Sequence, residues 1–508
     1  MPRAADQSAP DPNAVASCNA SSSARASASA HAQGTQQIVV GSGSADATIT
    51  NSSSDSVNVQ AAANATGYSF ASASANARGI IQEIDGSSSN SVGMEGTVDN
   101  SGTLDVTSLA NATGSGPSAS ASARAYAQGI YQDISGNGNV TGMVTNSSSD
   151  SIDINVVSSA NATGSASARA DTTAINQNVS TDFGSANGTV DNSGSISANV
   201  IALADSTSSS ASADGFAYGI YQSVNTSSGN ATGTVTNSSA DTIDIFVQAS
   251  ARASGSASAD ASATGIYQNV NANFGDSTGA VDNSGSLNID IVALADSTSS
   301  SASADGFAYG IYQFVNTSTG NSTGTVTNSS ADSIDISVLA NATASANASA
   351  DAAATGIQQT VNAGTGDVTG TVDNSGSLSV ETTALADSSS SNASADAYGQ
   401  GIYQNVNTAN GDATGTVTNS SSDSIDIEVL ASANANLFAS ADASATAVYQ
   451  FVNAFGSGGA NGTVNNSGSI SANAMALASS DNDSASADAY VMGINQTDLN
   501  GNGNATRT

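Results

Sequence analysis

The sequence predicts an all-β fold, a β-solenoid (parallel β-helix) built from about eleven repeats of about 46 residues in two alternating types. Three observations predict it. An Asn-Ser pair recurs along the chain, starting at Asn51, Asn100, Asn146, Asn192, Asn237, Asn283, Asn328, Asn374, Asn419 and Asn466. A Gly-Ile-x-Gln quartet keeps step with it, as in Gly219-Ile220-Tyr221-Gln222, Gly265-Ile266-Tyr267-Gln268 and Gly401-Ile402-Tyr403-Gln404, with weaker copies ending at Gln82, Gln177, Gln359, Gln450 and Gln496. Between these marks, apolar and polar residues alternate with period two over long runs. A fixed long period means stacked copies of one unit, each burying its neighbour's face, so function must be read from a surface.

The alternation defines the strands. From Ile425 the odd positions run through Ile427, Val429, Ala431, Ala433, Ala435, Leu437 and Ala439 to Ala447, Tyr449 and Phe451, while Asp426, Glu428, Ser432, Asn434, Ser440, Asp442, Ser444 and Gln450 hold even positions. The same parity holds from Ile243 to Ala263. This is a strand signature with one apolar face. Ala is a poor strand former, so its use here points to sheets that approach closely over a thin core. Fully extended, such a run would span roughly 90 Å, so bends that preserve the in/out parity are expected to divide it. The Ser-rich stretch 297–301 reads as a corner, and 225–230 and 407–412 carry turn residues and read as surface loops. The two repeat types alternate, one with the form Thr418-Asn419-Ser420 continuing to Ile425, the other Val281-Asp282-Asn283-Ser284-Gly285-Ser286-Leu287.

The period leaves no composition shift at which to cut the 508 residues. Residues 34–496 read as one continuous array. Residues 1–33 read as an incomplete repeat and assembly edge, and 497–508 as a second incomplete repeat. Seven Arg and no Lys stand against forty-two Asp and Glu, a formal charge of -35. Affinity for phosphate comes from clustered cations, so nucleic acid is not an expected partner, and an anionic membrane surface is disfavoured for the same reason. No stretch is long and apolar enough to insert in a membrane, and the first residues lack the apolar segment of a secretory signal. The single Cys, Cys18, excludes an intrachain disulfide.

Residues at one phase of the repeat should stack into ladders. The Asn of each Asn-Ser pair should form a column of amides, each donating to the next. Tyr131, Tyr221, Tyr267, Tyr312, Tyr403 and Tyr449 share a phase and should stack. Another phase carries Arg124 and Arg169, then Asp214, Asp260, Asp305, Asp351, Asp396, Asp442 and Asp488. Exchange of Arg with Asp at one position says that it faces water. The run Asp214, Asp260, Asp305, Asp351, Asp396 and Asp442 is the candidate row for divalent cations, with Ca²⁺ the candidate metal. A second row is Asp153, Asp244, Asp335 and Asp426. No catalytic residue and no cofactor is expected, because the only His is His31 and no repeat carries a singular cluster.

The Asn-Ser-Gly-Ser-Ile turns, the Gly-Ile-x-Gln quartets and the Ala/Ser/Asp-rich strands resemble those of bacterial surface β-solenoids, the autotransporter passengers and haemagglutinin-like repeat adhesins. The resemblance implies an extracellular or cell-surface location and a structural or matrix role. Repeat proteins that remain monomeric cap their ends, and no cap is recognisable near Ala24 or after Gln496. The expectation is a structural subunit that stacks head to tail into a filament, its partner being itself. The alternative is an adhesive module of a larger surface protein. Divalent cations and surface glycans are the other candidate partners.

Overall fold

The computed structural model describes residues 13–20, 25–40, 44–52, 56–86, 93–147, 151–238, 242–329, 333–420, 424–456, 458–500 and 505–507. Residues 1–12, 21–24, 501–504 and 508 of the two terminal segments lie outside the described residues.

Among the described residues the chain forms three parallel sheets of eleven strands each, and successive strands enter the first, second and third sheet in turn. One repeat is therefore one wide coil of three strands, as in Ser286–Ser297, Ala302–Thr319 and Ser322–Asn328. Register is one-to-one between coils, so Asn237 pairs with Asn283 and Asn283 with Asn328. The boundaries drawn at residues 33 and 496 fall inside strands Arg25–Val40 and Ala485–Asn500. Coil structure continues across both because each strand finds its register on the neighbouring coil.

Alternation sets the burial. In Ser286–Ser297, Leu287, Ile289, Ile291, Ala293 and Ala295 face inward and are buried. Ala302, Ala304 and Ala308 of the next strand belong to the same core. The sheets are close: a Cβ built on Gly306 would lie 2.6 Å from the Val338 Cγ1. A smaller core, with Val224, Val270, Val315 and Val361, lies between the second half of the second sheet and the third.

Parity does not survive the second sheet, which corrects the expectation of a single apolar face ending in Tyr449 and Phe451. Gly310 and Ile311 both turn inward, and Gly310 drops out of the ladder, Tyr309 pairing with Thr355 and Ile311 with Ile357. The strand bends there as at a β-bulge. A Cβ at Gly310 would lie 2.5 Å from the Gly356 carbonyl oxygen and 2.8 Å from the Ile334 Cγ2, which is why glycine dominates this phase. Past the bend the outward set becomes the inward set. Gln450 is fully buried, whereas Tyr449 and Phe451 are only half-buried on the outer face. Leu437 also leaves the inner face, sitting exposed in the corner before Ala439.

The corners carry the difference between the two repeat types. From third sheet to first, one type passes from a strand ending at Asn146 to one starting at Ser151, the other from Asn192 to Ser195. From first to second, the connection is 163–165 against 207–210. The first type thus has two residues more at one corner and one fewer at the other, and because the difference is confined to corners the register between the strands of unlike neighbours is kept. The corner from second to third sheet needs Gly184, Gly229, Gly275, Gly320, Gly366 and Gly411, whose φ lies between 121° and 143°. Each sits against the carbonyl of the glycine one coil below, leaving no room for a Cβ. The segment 407–412 is strand through Thr408, and the exposed loop begins only at Ala409; in 225–230 the strand likewise runs to Thr226.

Candidate functional site: ladders and the acidic row

Two side-chain ladders run inside the solenoid. The Asn column is continuous: Asn51 Nδ2 donates to Asn100 Oδ1 at 2.8 Å, and the relay passes through Asn146, Asn192, Asn237, Asn283, Asn328, Asn374 and Asn419 to Asn466. The second ladder is the Gln of the quartet, which sequence reasoning used as a period mark without assigning it a role. Gln313 Nε2 donates to Gln268 Oε1 at 2.8 Å and to the Thr325 carbonyl at 3.0 Å, tying the second sheet to the third. The column runs from Gln37 to Gln450 in the opposite sense to the Asn column, each Gln donating one coil back. Its signal was the invariance of a long polar residue beside a Gly and an Ile.

The tyrosines stack on the outer face of the second sheet. Ring centroids of Tyr221 and Tyr267 are 4.8 Å apart and those of Tyr267 and Tyr312 5.1 Å, with nearly parallel planes, and Tyr403 and Tyr449 repeat this at 5.3 Å. Tyr131 falls outside the stack because its register neighbours are Ile81 and Asn176. Rings stacked face to face turn their edges to solvent, which leaves few faces open to a planar ligand.

The acidic row is in register from Asp214 through Asp260, Asp305, Asp351, Asp396 and Asp442 to Asp488, one per coil on the outer face of the second sheet. Arg124 and Arg169 occupy its first two places, and both reach Asp171, Arg169 Nε at 2.8 Å. Carboxylates one strand step apart, about 4.8 Å, repel. Half-burial pushes the Asp305 carboxyl from its ordinary 3.8 up to about 7, reinforced by hydrogen bonding to and the charge of Asp260, then by Asp351. Asp214, Asp396 and Asp442 are also raised, by burial first and then by the neighbouring aspartate. The second row is more dilute: Asp244 and Asp335 alternate with Ser197, Asn288 and Ser379 on the outer face of the first sheet.

A row is linear. Among the described residues no three His, Cys, Asp or Glu side chains gather as a metal ion requires. What the row offers cations is neutralisation along a line. Its protonation has a calculable sign. Because the folded pKa of Asp305 lies above its unfolded value, the folded state binds more protons between about pH 4 and pH 7, and the stability this confers is lost as pH rises through about 7. Thermal denaturation followed by circular dichroism should therefore show the melting temperature falling from about pH 5 to about pH 8. Asp305→Asn should flatten that slope; an unchanged slope would dismiss the row as its source.

A groove of about 1080 Å³ runs along the axis, where the first sheet turns into the second. Ala211, Ala257 and Ala302 floor it, Ser212, Ser258 and Ser303 edge it, and no charged side chain lines it. Cys18 is partly buried against the end of the main core, and His31 is exposed on the first described coil. Among the described residues no helix is long and apolar enough to cross a membrane. No protein-family model, curated protein or solved structure matches this chain.

Proposed function

We propose that this chain is a structural subunit of an extracellular filament or surface matrix, a rod that extends by stacking head to tail on copies of itself. The observation that carries the reading is the unbroken one-to-one register of eleven coils among the described residues. Among those residues strand Asn13–Ala20 pairs with Ser56–Gly67 alone and Ser469–Ser480 with Ser424–Ala435 alone. Val491 and Ile494, which continue the columns of the buried Ala445 and Val448, are 49% and 46% exposed. An open parallel edge recruits a strand of matching register, and translation along an axis does not close on itself. At low salt the acidic surface keeps rods apart sideways while their ends find each other.

Electron microscopy of the full chain tests this. Eleven coils at about 4.8 Å each make a particle roughly 50 Å long, and rods several times that length are expected as concentration rises. Ser27→Pro with Ser29→Pro should remove edge donors in Arg25–Val40, since N–H groups at the neighbouring Ala phase donate to the next coil, and leave single-length particles of unchanged circular dichroism. Single-length particles of the unaltered chain at every concentration would overturn the proposal. The Ser-edged groove favours the alternative, an adhesive module of a larger surface protein, which retention of single-length particles on immobilised glycans would select.

A further inference from the structure

The alternation of two coil types has a consequence on the outer face of the second sheet. One phase there reads, coil by coil, Phe216, Ser262, Phe307, Ala353, Tyr398, Ser444. The pattern reaches Tyr126 in one direction and Tyr490 in the other. A bulky ring thus stands on every second coil, and from Phe216 to Tyr490 a small side chain leaves a gap on every coil between, whereas Asp171 fills that place between Tyr126 and Phe216. Phe307 and Tyr398 are 40% and 39% exposed on a face they share with the aspartate row and the tyrosine stack. Phe307 packs edge-on against Tyr309 at 4.6 Å and Phe216 against Tyr218 likewise, while the Tyr398 hydroxyl donates to Gln400 Oε1 at 2.8 Å. The alternation is not common to the whole face, since the tyrosine phase five residues on is aromatic in three consecutive coils.

Ridges and gaps therefore share one pitch, two strand steps or about 9.6 Å. Only a surface of the same pitch can seat rings in all the gaps at once, because any other rise falls out of step within a few coils. The one molecule certain to have that pitch is a second copy of this chain. We propose that two solenoids pair side by side through this face, running in the same direction and offset by one coil, so that Phe216, Phe307 and Tyr398 of one fill the gaps at Ser262, Ala353 and Ser444 of the other, whose Phe307, Tyr398 and Tyr490 fill the same three gaps in return. Interdigitation of this kind is what closes the dry interfaces between stacked sheets. In the same-direction arrangement the two faces are reversed across the strands. The row of Asp214, Asp260 and Asp305 then lies opposite the partner's Tyr218, Thr264 and Tyr309 phase, whose hydroxyls can donate to carboxylates, and not opposite the partner's own aspartates. The charge of -35 still opposes approach, so pairing is expected to need salt.

This inference is independent of end-to-end growth, because pairing reads out as particle width and stacking as particle length. In about 0.5 M salt, where the Debye length is a few ångströms, microscopy of the full chain should show double-width particles, and sedimentation a mass twice that of the chain or of a single-width rod. Phe216→Ser/Phe307→Ser/Tyr398→Ser should give single-width particles only. Ser262→Glu/Ala353→Glu/Ser444→Glu, which keeps every ridge and charges every gap, should do the same. Thr234→Glu/Thr325→Glu/Thr416→Glu, the same charge placed on the outer face of the third sheet, should still pair. All these positions face outward, and circular dichroism reports whether each variant is folded. Single-width particles of the unaltered chain at every salt concentration, or double-width particles of the ridge-deleted variant, would overturn the proposal.

Discussion

Gln313→Leu is expected to destabilise the middle of the rod more than any outward substitution on the same strand. Gln313 is fully buried and makes three hydrogen bonds: it donates to Gln268 Oε1 and to the Thr325 carbonyl, and accepts from Gln359 Nε2 at 2.8 Å. Leucine matches its bulk and none of its bonds. Gln268 Oε1 and the Thr325 carbonyl then lose their donors in a dry channel, at about 1–3 kcal/mol each, so a loss of roughly 2–6 kcal/mol follows. Gln359 keeps the Thr371 carbonyl as an acceptor and adds less. Because each coil touches only its neighbours, the damage should be local: hydrogen exchange should accelerate in the coils around Gln268, Gln313 and Gln359 and not near Gln132. Tyr312→Leu, one residue away on the outer face, should cost about 1 kcal/mol, the value of its ring contact with Tyr267. Equal losses for the two variants would deny the ladder its role in holding the second sheet to the third.

That ladder marks the limit of what the sequence alone discloses. The fold class, the count of coils, the Asn column, the tyrosine stack and the outward aspartate row follow from period and parity, because in a stacked fold a residue's phase determines its neighbours. Parity fails where the backbone fails to alternate. Gly310 and Ile311 both face inward, and nothing in a period-two pattern marks such a slip, since Gly has no side chain to assign to either face. Everything past that point is then reversed, and Gln450 was read as solvent-facing while Tyr449 and Phe451 were read as core. Polarity reinforced the error, because an amide is assigned to water unless a partner is known, and the partner here is the same residue one coil away. The width of the coil was equally hidden, since one wide turn and two narrow turns have the same period. Register distinguishes them in three dimensions, since each strand pairs with the strand one whole repeat away, Asn237 with Asn283 and Asn283 with Asn328.

Ala259→Leu is expected to cost about 1–3 kcal/mol, because the core it enters has no space to give. Ala259 is fully buried, as are its register neighbours Ala213 and Ala304, and Ala249 and Ala251 of the first sheet share its core. The spacing between the sheets is set by methyl groups. Where the first sheet presents Val247, the second has Gly215, and a Cβ there would meet the Val247 Cγ1 at 2.8 Å. A core tuned to the difference between Gly and Ala cannot accept an isobutyl group without pushing the sheets apart over several coils, since each strand is held to its neighbours in strict register. The same change in Ala259 and Ala304 together should therefore cost less than the sum of the two, as the first opens the space that the second uses. Ser258→Leu, on the outer side of the same strand, should stay within about 0.5 kcal/mol. Chemical denaturation with hydrogen exchange resolves these local losses. Were Ser258→Leu the more damaging change, the assignment of the Ala face to the interior, and with it the thin-core account of this solenoid, would be wrong.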